Sequence, residues 1–183
     1  MTIGFAMCGS YCTYEKVFLV MEELAKKHNI IPIFSAPEDS RFGTAEEHIR
    51  RACHICGRMP ARSIPDVEPF GPGKTLAVLV IAPCTGNTLA KLAAGIADSP
   101  ITMAAKSHLR NDRPVILAVS TNDGLSTAAA NIGKLLGRRH YYFVPFGQDD
   151  PTQKPRSLVA NFKALPQTIA EAMEGQQIQP ILL

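Results

Sequence analysis

Four short segments of small polar residues each follow an apolar stretch of this sequence, and together they could bind an anion or a heterocycle. A glycine in such a segment lets backbone N–H groups approach an anion, while hydroxyl and amide groups supply donors and acceptors. Between residues 84 and 88 four small polar side chains stand close together, three with hydroxyl or amide groups and one with a thiol, although a helix cap needs only one. The candidate binding residues are Gly9, Ser10, Ser35, Cys84, Thr85, Asn87, Thr88, Ser120, Thr121 and Asn122.

Each segment also has a simpler interpretation. A plain tight turn explains Gly9 and Ser10 about as well as a phosphate site does, and Ser35 could be a turn or helix-cap serine. The first segment has one glycine and no following Gly-Lys-Ser/Thr, so it is neither a dinucleotide fingerprint nor a Walker loop. Cys84 could be a nucleophile because a helix N-terminus lowers a thiol pKa, but lining a pocket or contacting a cofactor fits its position better.

Other cysteines and histidines offer weaker candidates. Cys53, His54 and Cys56 have a spacing found in zinc sites, but no second close pair follows, and both thiols would share one helix face as core residues. We therefore expect no metal site. Several histidines could act as a base, and the sequence does not distinguish among His48, His54, His108 and His140.

Hydrophobic periodicity predicts strands that alternate with helices. Thr44 and Glu47 form a capping-box pattern, and Pro32 must lie at a strand start or on an exposed side because it cannot donate a ladder hydrogen bond. The predicted strands are 2–7, 29–34, 76–82, 115–119 and 141–144, with a short one near 61–64. The predicted helices are 14–27, 44–56, 86–97, 100–110, 125–136 and 157–174. The proline- and glycine-rich stretches 57–73 and 145–156 are predicted to be mostly loop.

This alternation predicts an α/β fold, a three-layer doubly wound parallel sheet of the flavodoxin-like or Rossmann-like kind. In such sheets ligands bind outside the carboxyl ends of the strands, near the point where the strand order reverses. We therefore expect the four polar segments to meet at one edge of the sheet.

Composition excludes several classes of protein. A chain of 183 residues that is 46% hydrophobic and 19% charged suits a single domain over residues 1–183. A net charge of +3 and the absence of tryptophan argue against nucleic acid as a partner, and the longest apolar runs are too short to span a membrane. The N-terminus lacks the features of a secretory signal, so we expect a cytoplasmic protein whose five cysteines are reduced.

Residues 82–102 resemble the central motif of the flavin-binding cysteine decarboxylases, a superfamily to which flavin prenyltransferases also belong. Pro-Cys-Thr-Gly-Asn-Thr at 83–88 is similar to its Pro-Ala-Ser-Ala-Asn-Thr, and Gly-Ile-Ala-Asp at 95–98 matches directly. The order of elements agrees over about residues 1–145. Residues 145–160 are similar to the signature of one group within the superfamily, the B subunits of dipicolinate synthase.

The resemblance implies an FMN site. Gly9, Ser10 and Ser35 would hold the phosphate and ribityl groups, and Ser120, Thr121 and Asn122 would close the pocket. The isoalloxazine side would be lined by Cys84, Thr85, Asn87 and Thr88.

The group also implies a reaction and partners. Its members oxidise dihydrodipicolinate, or a hydrated precursor, to dipicolinate in the mother cell of a sporulating bacterium, together with an A subunit that carries NAD(P). Lys154 and Arg156 would bind the dicarboxylate substrate from a loop over 145–156, followed by a C-terminal helix and tail over 157–183. The catalytic candidates are Cys84, Asn87, Lys154 and Arg156. Superfamily members commonly form trimers or higher homo-oligomers.

Three departures from the superfamily keep other functions open. The catalytic histidine that its decarboxylases carry before the central motif is replaced by Glu-Pro-Phe at 68–70, and only Asn122 remains of their Pro-x-Met-Asn. The Arg and Glu of the prenyltransferases are also absent. The alternatives are an FMN-dependent decarboxylase with relocated acid and base groups, and a non-catalytic assembly subunit.

Overall fold

The computed structural model describes residues 1–35 and 39–183, and the strands in them form one sheet. Their ranges are β1 Thr2–Met7, β2 Asn29–Phe34, β3 Val78–Cys84, β4 Val115–Thr121, β5 Tyr141–Phe143, β6 Phe146–Asp150 and β7 Lys154–Ala160. The first five strands are parallel and run in the order β2-β1-β3-β4-β5. β6 and β7 form a hairpin, and β7 pairs antiparallel with Ser120 and Thr121 at the end of β4.

Helices lie on both faces of this sheet. Their ranges are α1 Tyr14–Ala25, α2 Ala45–Cys56, α3 Ile64–Val67, α4 Gly86–Ala94, α5 Pro100–Leu109, α6 Ala129–Leu136 and α7 Leu165–Met173. α1 contacts α2 and α7, whereas α4 contacts α5 and α6, so two separate helical layers cover the strands. The predicted three-layer, doubly wound α/β fold is confirmed. Within 1–35 and 39–183 no helix is both long and apolar enough to cross a membrane.

The centre of the core lies along β3 and β4. All seven residues of β3 and the first six of β4 are buried, as expected for parallel strands covered on both faces. Packing against β1 leaves no room for a side chain at Gly4, where an added Cβ would lie 2.5 Å from Cδ1 of Leu76. The strands are therefore held in place by dense apolar packing, which gives their polar ends fixed positions.

The predicted cap of α2 is confirmed, but Pro32 is buried and lies within β2 rather than at its start or on an exposed side. Thr44 caps α2, where its hydroxyl accepts from the N–H of Glu47 at 3.2 Å and its own N–H donates to the Glu47 carboxylate at 2.7 Å. Pro32 lies in the edge strand β2. The N–H of Phe34, two residues on, donates outward to Ala61 at 2.9 Å, so the nitrogen of Pro32 also faces the outer edge, where no ladder bond is lost.

The predicted loop over 145–156 is wrong, because most of this stretch is the hairpin of β6 and β7. Its prolines are tolerated for a local reason. The register between the two strands shifts between the pairs Gln148↔Leu158 and Asp150↔Lys154, and Pro155 falls in that irregular part. The helix predicted to begin at 157 is wrong for the same reason, since β7 continues to Ala160 and α7 begins at Leu165.

Several other predicted boundaries need correction. The short strand near 61–64 reduces to one bridge between Ala61 and Ile33, and a helical turn follows it. α4 ends at Ala94 because Gly95 adopts a left-handed conformation with φ 75°, so Ile96 leaves the buried face and is 47% exposed. α6 begins at Ala129, four residues later than predicted.

Candidate cofactor site

The four polar segments lie side by side at the carboxyl ends of β2, β1, β3 and β4. The chain leaves β1 toward β2 on one side, while β3 lies on the other side, so the strand order reverses between β1 and β3. In sheets of this order ligands bind at that point. The structure therefore brings the predicted segments together at the edge where a ligand is expected.

The first segment is tied to its two neighbours by direct contacts. The hydroxyls of Ser10 and Ser120 lie 2.7 Å apart, although these residues are 110 positions apart in the chain. The Thr88 hydroxyl donates to Sγ of Cys8 at 3.2 Å. An added Cβ at Gly9 would lie 3.4 Å from Cγ2 of Thr85. The segments after β1, β3 and β4 thus form one continuous polar surface.

The third segment begins α4 and packs against the fourth. Thr85 caps the helix by accepting from the N–H of Thr88 at 3.3 Å, and Asn87 is exposed at its first turn. Gly86 allows the close approach, because a Cβ there would lie 2.8 Å from Oγ1 of Thr121 and 2.6 Å from Oδ1 of Asp123. A larger residue at 86 would push the two segments apart.

Cys84 does not behave as predicted. Its side chain is fully buried, so it presents no thiol to the polar surface. Burial, and to a smaller extent the neighbouring Cys8, raises the pKa of the Cys84 thiol well above its usual value. The alternative of a nucleophilic Cys84 is therefore wrong, because burial disfavours the charged thiolate. A neutral, buried thiol is a poor nucleophile.

The fourth segment joins the site to the hairpin. Ser120 is buried beneath the surface, and the Thr121 hydroxyl donates to the carboxylate of Asp123. Asn122 is exposed and its side-chain oxygen accepts from the Ser157 hydroxyl at 3.5 Å. This last contact places the hairpin against the end of β4.

Ser35 follows β2 directly and lies beside the first segment. Its N–H donates to the carbonyl of Met7 at 3.4 Å, and Phe34 stands next to Met7 in the strand register. Its side chain is half-buried. Residues 36–38 of this second segment lie outside the described residues.

The donor set of this surface suits a phosphorylated ligand. Its side chains are hydroxyls and amides, and the nearby carboxylate of Asp123 is engaged by Thr121. Two of its segments lead directly into helical turns, at Tyr11 and at Gly86. The N-terminal ends of helices favour negatively charged groups. The residues present therefore fit a cofactor with a phosphate group and a polar chain, which is the type that FMN represents.

Lys154 and Arg156 lie on the hairpin rather than in a loop. Both are exposed, and they flank Pro155 in the irregular part of the hairpin. The Lys154 ammonium pairs with the carboxylate of Asp149 at 2.9 Å, and this contact raises the pKa of Lys154. Arg156 has no acidic side chain within ion-pair distance in the described part of the chain.

Some residues at this edge were not singled out from the sequence. Asp123 accepts a hydrogen bond from Thr121, and Ser157 donates one to Asn122. The polar run at 120–124 was a sequence signal for Asp123 but not for Ser157. His48, by contrast, was among the candidate bases, and it is buried among aromatic rings beside the first segment, with its ring 5.7 Å from that of Tyr11 and 4.7 Å from that of Tyr14. Burial lowers the pKa of His48, so it is a neutral packing residue rather than an accessible base.

Comparison with known proteins agrees with this arrangement. Residues 1–136 match the flavoprotein family. The B subunit of dipicolinate synthase from Bacillus subtilis (strain 168) is 44% identical over 99% of this chain and 92% of its own length. The chain belongs to the flavoprotein family, in the group of dipicolinate synthase B subunits.

Solved structures place this flavoprotein among proteins of the same fold. The crystal structure of the dipicolinate synthase B subunit from Bacillus halodurans C is 42% identical and superposes with a TM-score of 0.91, covering 100% of this chain and 95% of the other. The FMN-dependent cysteine decarboxylase SpaF is 22% identical with a TM-score of 0.68, covering 94% and 97% of the two chains. At 22% identity, the similarity to SpaF shows a shared fold and nothing more.

Proposed function

We propose that this chain is the B subunit of a dipicolinate synthase, which acts with an A subunit to oxidise dihydrodipicolinate, or its hydrated precursor, to dipicolinate during sporulation. The observation that carries this proposal is the 44% identity to a protein of that name, which extends over 99% of the chain. It thus includes the hairpin, which lies beyond the part that matches the flavoprotein family at 1–136.

The polar surface at the carboxyl edge of the sheet is proposed to bind FMN. Gly9, Ser10 and Ser35 would hold its phosphate and ribityl groups, and Thr85, Asn87 and Thr88 would lie on the side of its rings. Ser120, Thr121 and Asn122 would close the site from β4. Bound FMN can accept a hydride. Cys84 is left out of the ring-binding set because it is fully buried.

The hairpin is proposed to bind the substrate. A dicarboxylate needs cations, and Arg156 offers two parallel N–H donors for one carboxylate. Lys154 can supply a second positive charge once it releases Asp149. NAD(P) would belong to the A subunit rather than to this chain.

A non-catalytic assembly subunit is the second candidate function. It is favoured by the chemistry of the proposed catalytic residues, since the Cys84 thiol is buried and neutral and the Lys154 ammonium is exposed and ion-paired. Neither is an acid or base poised for reaction. In that case the chain would contribute only through assembly with the A subunit, and as a homo-oligomer of three or more copies.

Titration of the purified chain with FMN, with and without the A subunit, tests the cofactor proposal. We expect one FMN to bind per chain. Ser10→Ala removes a charge-assisted hydrogen bond and Asn87→Asp adds a negative charge, so each variant should bind FMN about tenfold more weakly. The control Asn29→Asp makes the same change on an exposed residue at the amino end of β2, the opposite edge of the sheet, and should leave the affinity unchanged. No binding under either condition refutes the flavin site.

Product formation then separates the two functions. Dipicolinate is measured by its ultraviolet absorbance in a mixture of the A and B subunits. If the B subunit takes part in catalysis, Arg156→Gln lowers the rate at limiting substrate while assembly of the two subunits, measured by sedimentation, is unchanged. If the variant retains full activity, Arg156 does not bind the substrate, and the result favours the assembly function.

A further inference from the structure

A cavity of about 510 Å³ lies far from the proposed cofactor site. It is formed by the C-terminal part of α4, by one side of α5 and by the segment that leads into β5. Tyr141, which lines it, pairs with Val115 at the start of β4, whereas the cofactor site adjoins Thr121 at the end of that strand. Six residues of β-strand separate the two places by about 20 Å. The β5 side of the cavity therefore lies at the opposite end of β4 from the cofactor site, and α4 connects the two places, since Leu92 follows Asn87 by five residues on the same helix.

Part of this cavity is apolar. Leu92, Ile96 and Leu109 line it together with the ring of Tyr141. Ile96 is 47% exposed because α4 ends before it, so its side chain remains available at the mouth of the cavity. A space of this volume with apolar sides is typical of sites for small molecules.

The rest of the cavity is strongly basic. Lys106, Arg110, Arg138 and Arg139 line it, and no acidic residue does so within the described chain. Lys106, Arg110 and Arg139 form no ion pair with any described carboxylate. Since the whole chain carries only +3, four positive charges around one cavity concentrate a potential that attracts anions.

The cavity is also preformed. Arg138 donates to the carbonyls of Leu92 at 3.1 Å and Ala93 at 2.8 Å, so it holds the end of α4 in place. His140 and Asp112 both adopt left-handed backbone conformations, with φ 67° and 53°, and their side chains meet at 3.2 Å. Such conformations are uncommon outside glycine and often mark functional sites. The adjoining segments therefore present Arg139 and Tyr141 from a fixed backbone.

We propose that this cavity is a second binding site, for a small organic anion that has a carboxylate, sulfonate or phosphate group joined to an apolar ring or chain. The charged group would lie against Lys106 and Arg139, whose side chains are not engaged elsewhere in the described structure. The apolar part would pack on Leu92, Leu109 and the Tyr141 ring. An anion without an apolar part would gain only the screened attraction of the charges.

Isothermal titration calorimetry with naphthalene-1-sulfonate tests this site on the full chain. The variant Lys106→Gln/Arg139→Gln removes two exposed charges that make no hydrogen bond to described residues. The control Lys27→Gln/Arg58→Gln makes the same change of net charge on exposed residues elsewhere. We expect the first variant to weaken binding about tenfold or more, and the control to change it by less than about twofold.

Two further ligands separate charge from apolar contact. Methanesulfonate has the charge without the rings, and 1-naphthalenemethanol has the rings without the charge, so each should bind at least about tenfold more weakly than naphthalene-1-sulfonate. Equal losses in both double variants, or equal binding of either partial ligand, would overturn the proposal. FMN affinity should be the same in Lys106→Gln/Arg139→Gln as in the unmodified chain, which separates this site from the proposed cofactor site.

Discussion

The substitution Gly124→Ala tests how closely the hairpin docks against the end of β4. An added Cβ would lie 2.6 Å from Cγ of Leu158 and 2.7 Å from its Cβ and Cδ1. Ordinary contacts between carbon atoms are about 3.5–4.0 Å. Leu158 is only 6% exposed and pairs with Thr121, so it cannot turn away unless the hairpin moves.

Overpacking of this kind costs about 1–3 kcal/mol of the free energy of unfolding. In a domain of this length each kcal/mol lowers Tm by about 2–4 °C, so Gly124→Ala should lower Tm by roughly 2–12 °C. The matched control is Gly133→Ala in α6, where no atom lies within 4 Å of the added Cβ. Removing a glycine from a helix should stabilise the protein by about 0.5–1 kcal/mol and raise Tm.

Thermal unfolding followed by circular dichroism measures both effects, and amide hydrogen exchange locates the first. The N–H of Leu125 donates to the carbonyl of Arg156 at 2.9 Å, and this bond ties the hairpin to the fourth segment. Its exchange should be faster in Gly124→Ala and unchanged in Gly133→Ala. If Gly124→Ala leaves both Tm and the exchange of Leu125 unchanged, the close docking described here is incorrect.

Three other predictions concern a helix cap, a histidine and the cysteines. Thr44→Ala removes the α2 cap and should lower the free energy of unfolding in urea by about 1 kcal/mol, whereas a neutral result would show that the cap contributes nothing. Burial lowers the pKa of His108 to about 4, so the unfolded chain takes up the proton first. The neutral His108 therefore contributes its full stabilisation above about pH 6.5, and the free energy of unfolding should fall by about 3 kcal/mol as the pH drops to 4. Urea unfolding measured across that range should show a smaller fall in His108→Gln. In a thiol titration with a disulfide reagent, the exposed Cys12 should react in the native protein and the buried Cys84 only on unfolding, and rapid reaction of Cys84 would contradict its burial.

The hairpin shows where local patterns fail. Its residues include two prolines and several charges, which are typical of loops, and its first strand is half exposed. What makes it a hairpin is the pairing of β7 with Ser120 and Thr121, more than thirty residues earlier in the chain. Such long-range pairing leaves no periodic signal in the segment itself.

Cys84 shows the same limit for chemistry. Its place at the start of a helix was visible in the sequence, and a lowered thiol pKa followed from that alone. Whether a side chain at a strand end turns toward the surface or into the core depends on the packing of neighbouring elements. Here full burial raises the pKa of the thiol, because desolvation disfavours the charged thiolate.

Local patterns in the chain are enough to predict the class of fold and the residue types of the site. Continuous apolar runs, alternating helices and the Thr44–Glu47 cap are local features, and polar segments at the ends of parallel strands must share one edge of the sheet. Which of these groups touch depends on the packed structure. The contact between Ser10 and Ser120, the space that only Gly86 leaves for Thr121, and the basic cavity around Arg138 each join parts of the chain that are distant in sequence, and only the packed strands and helices bring them together.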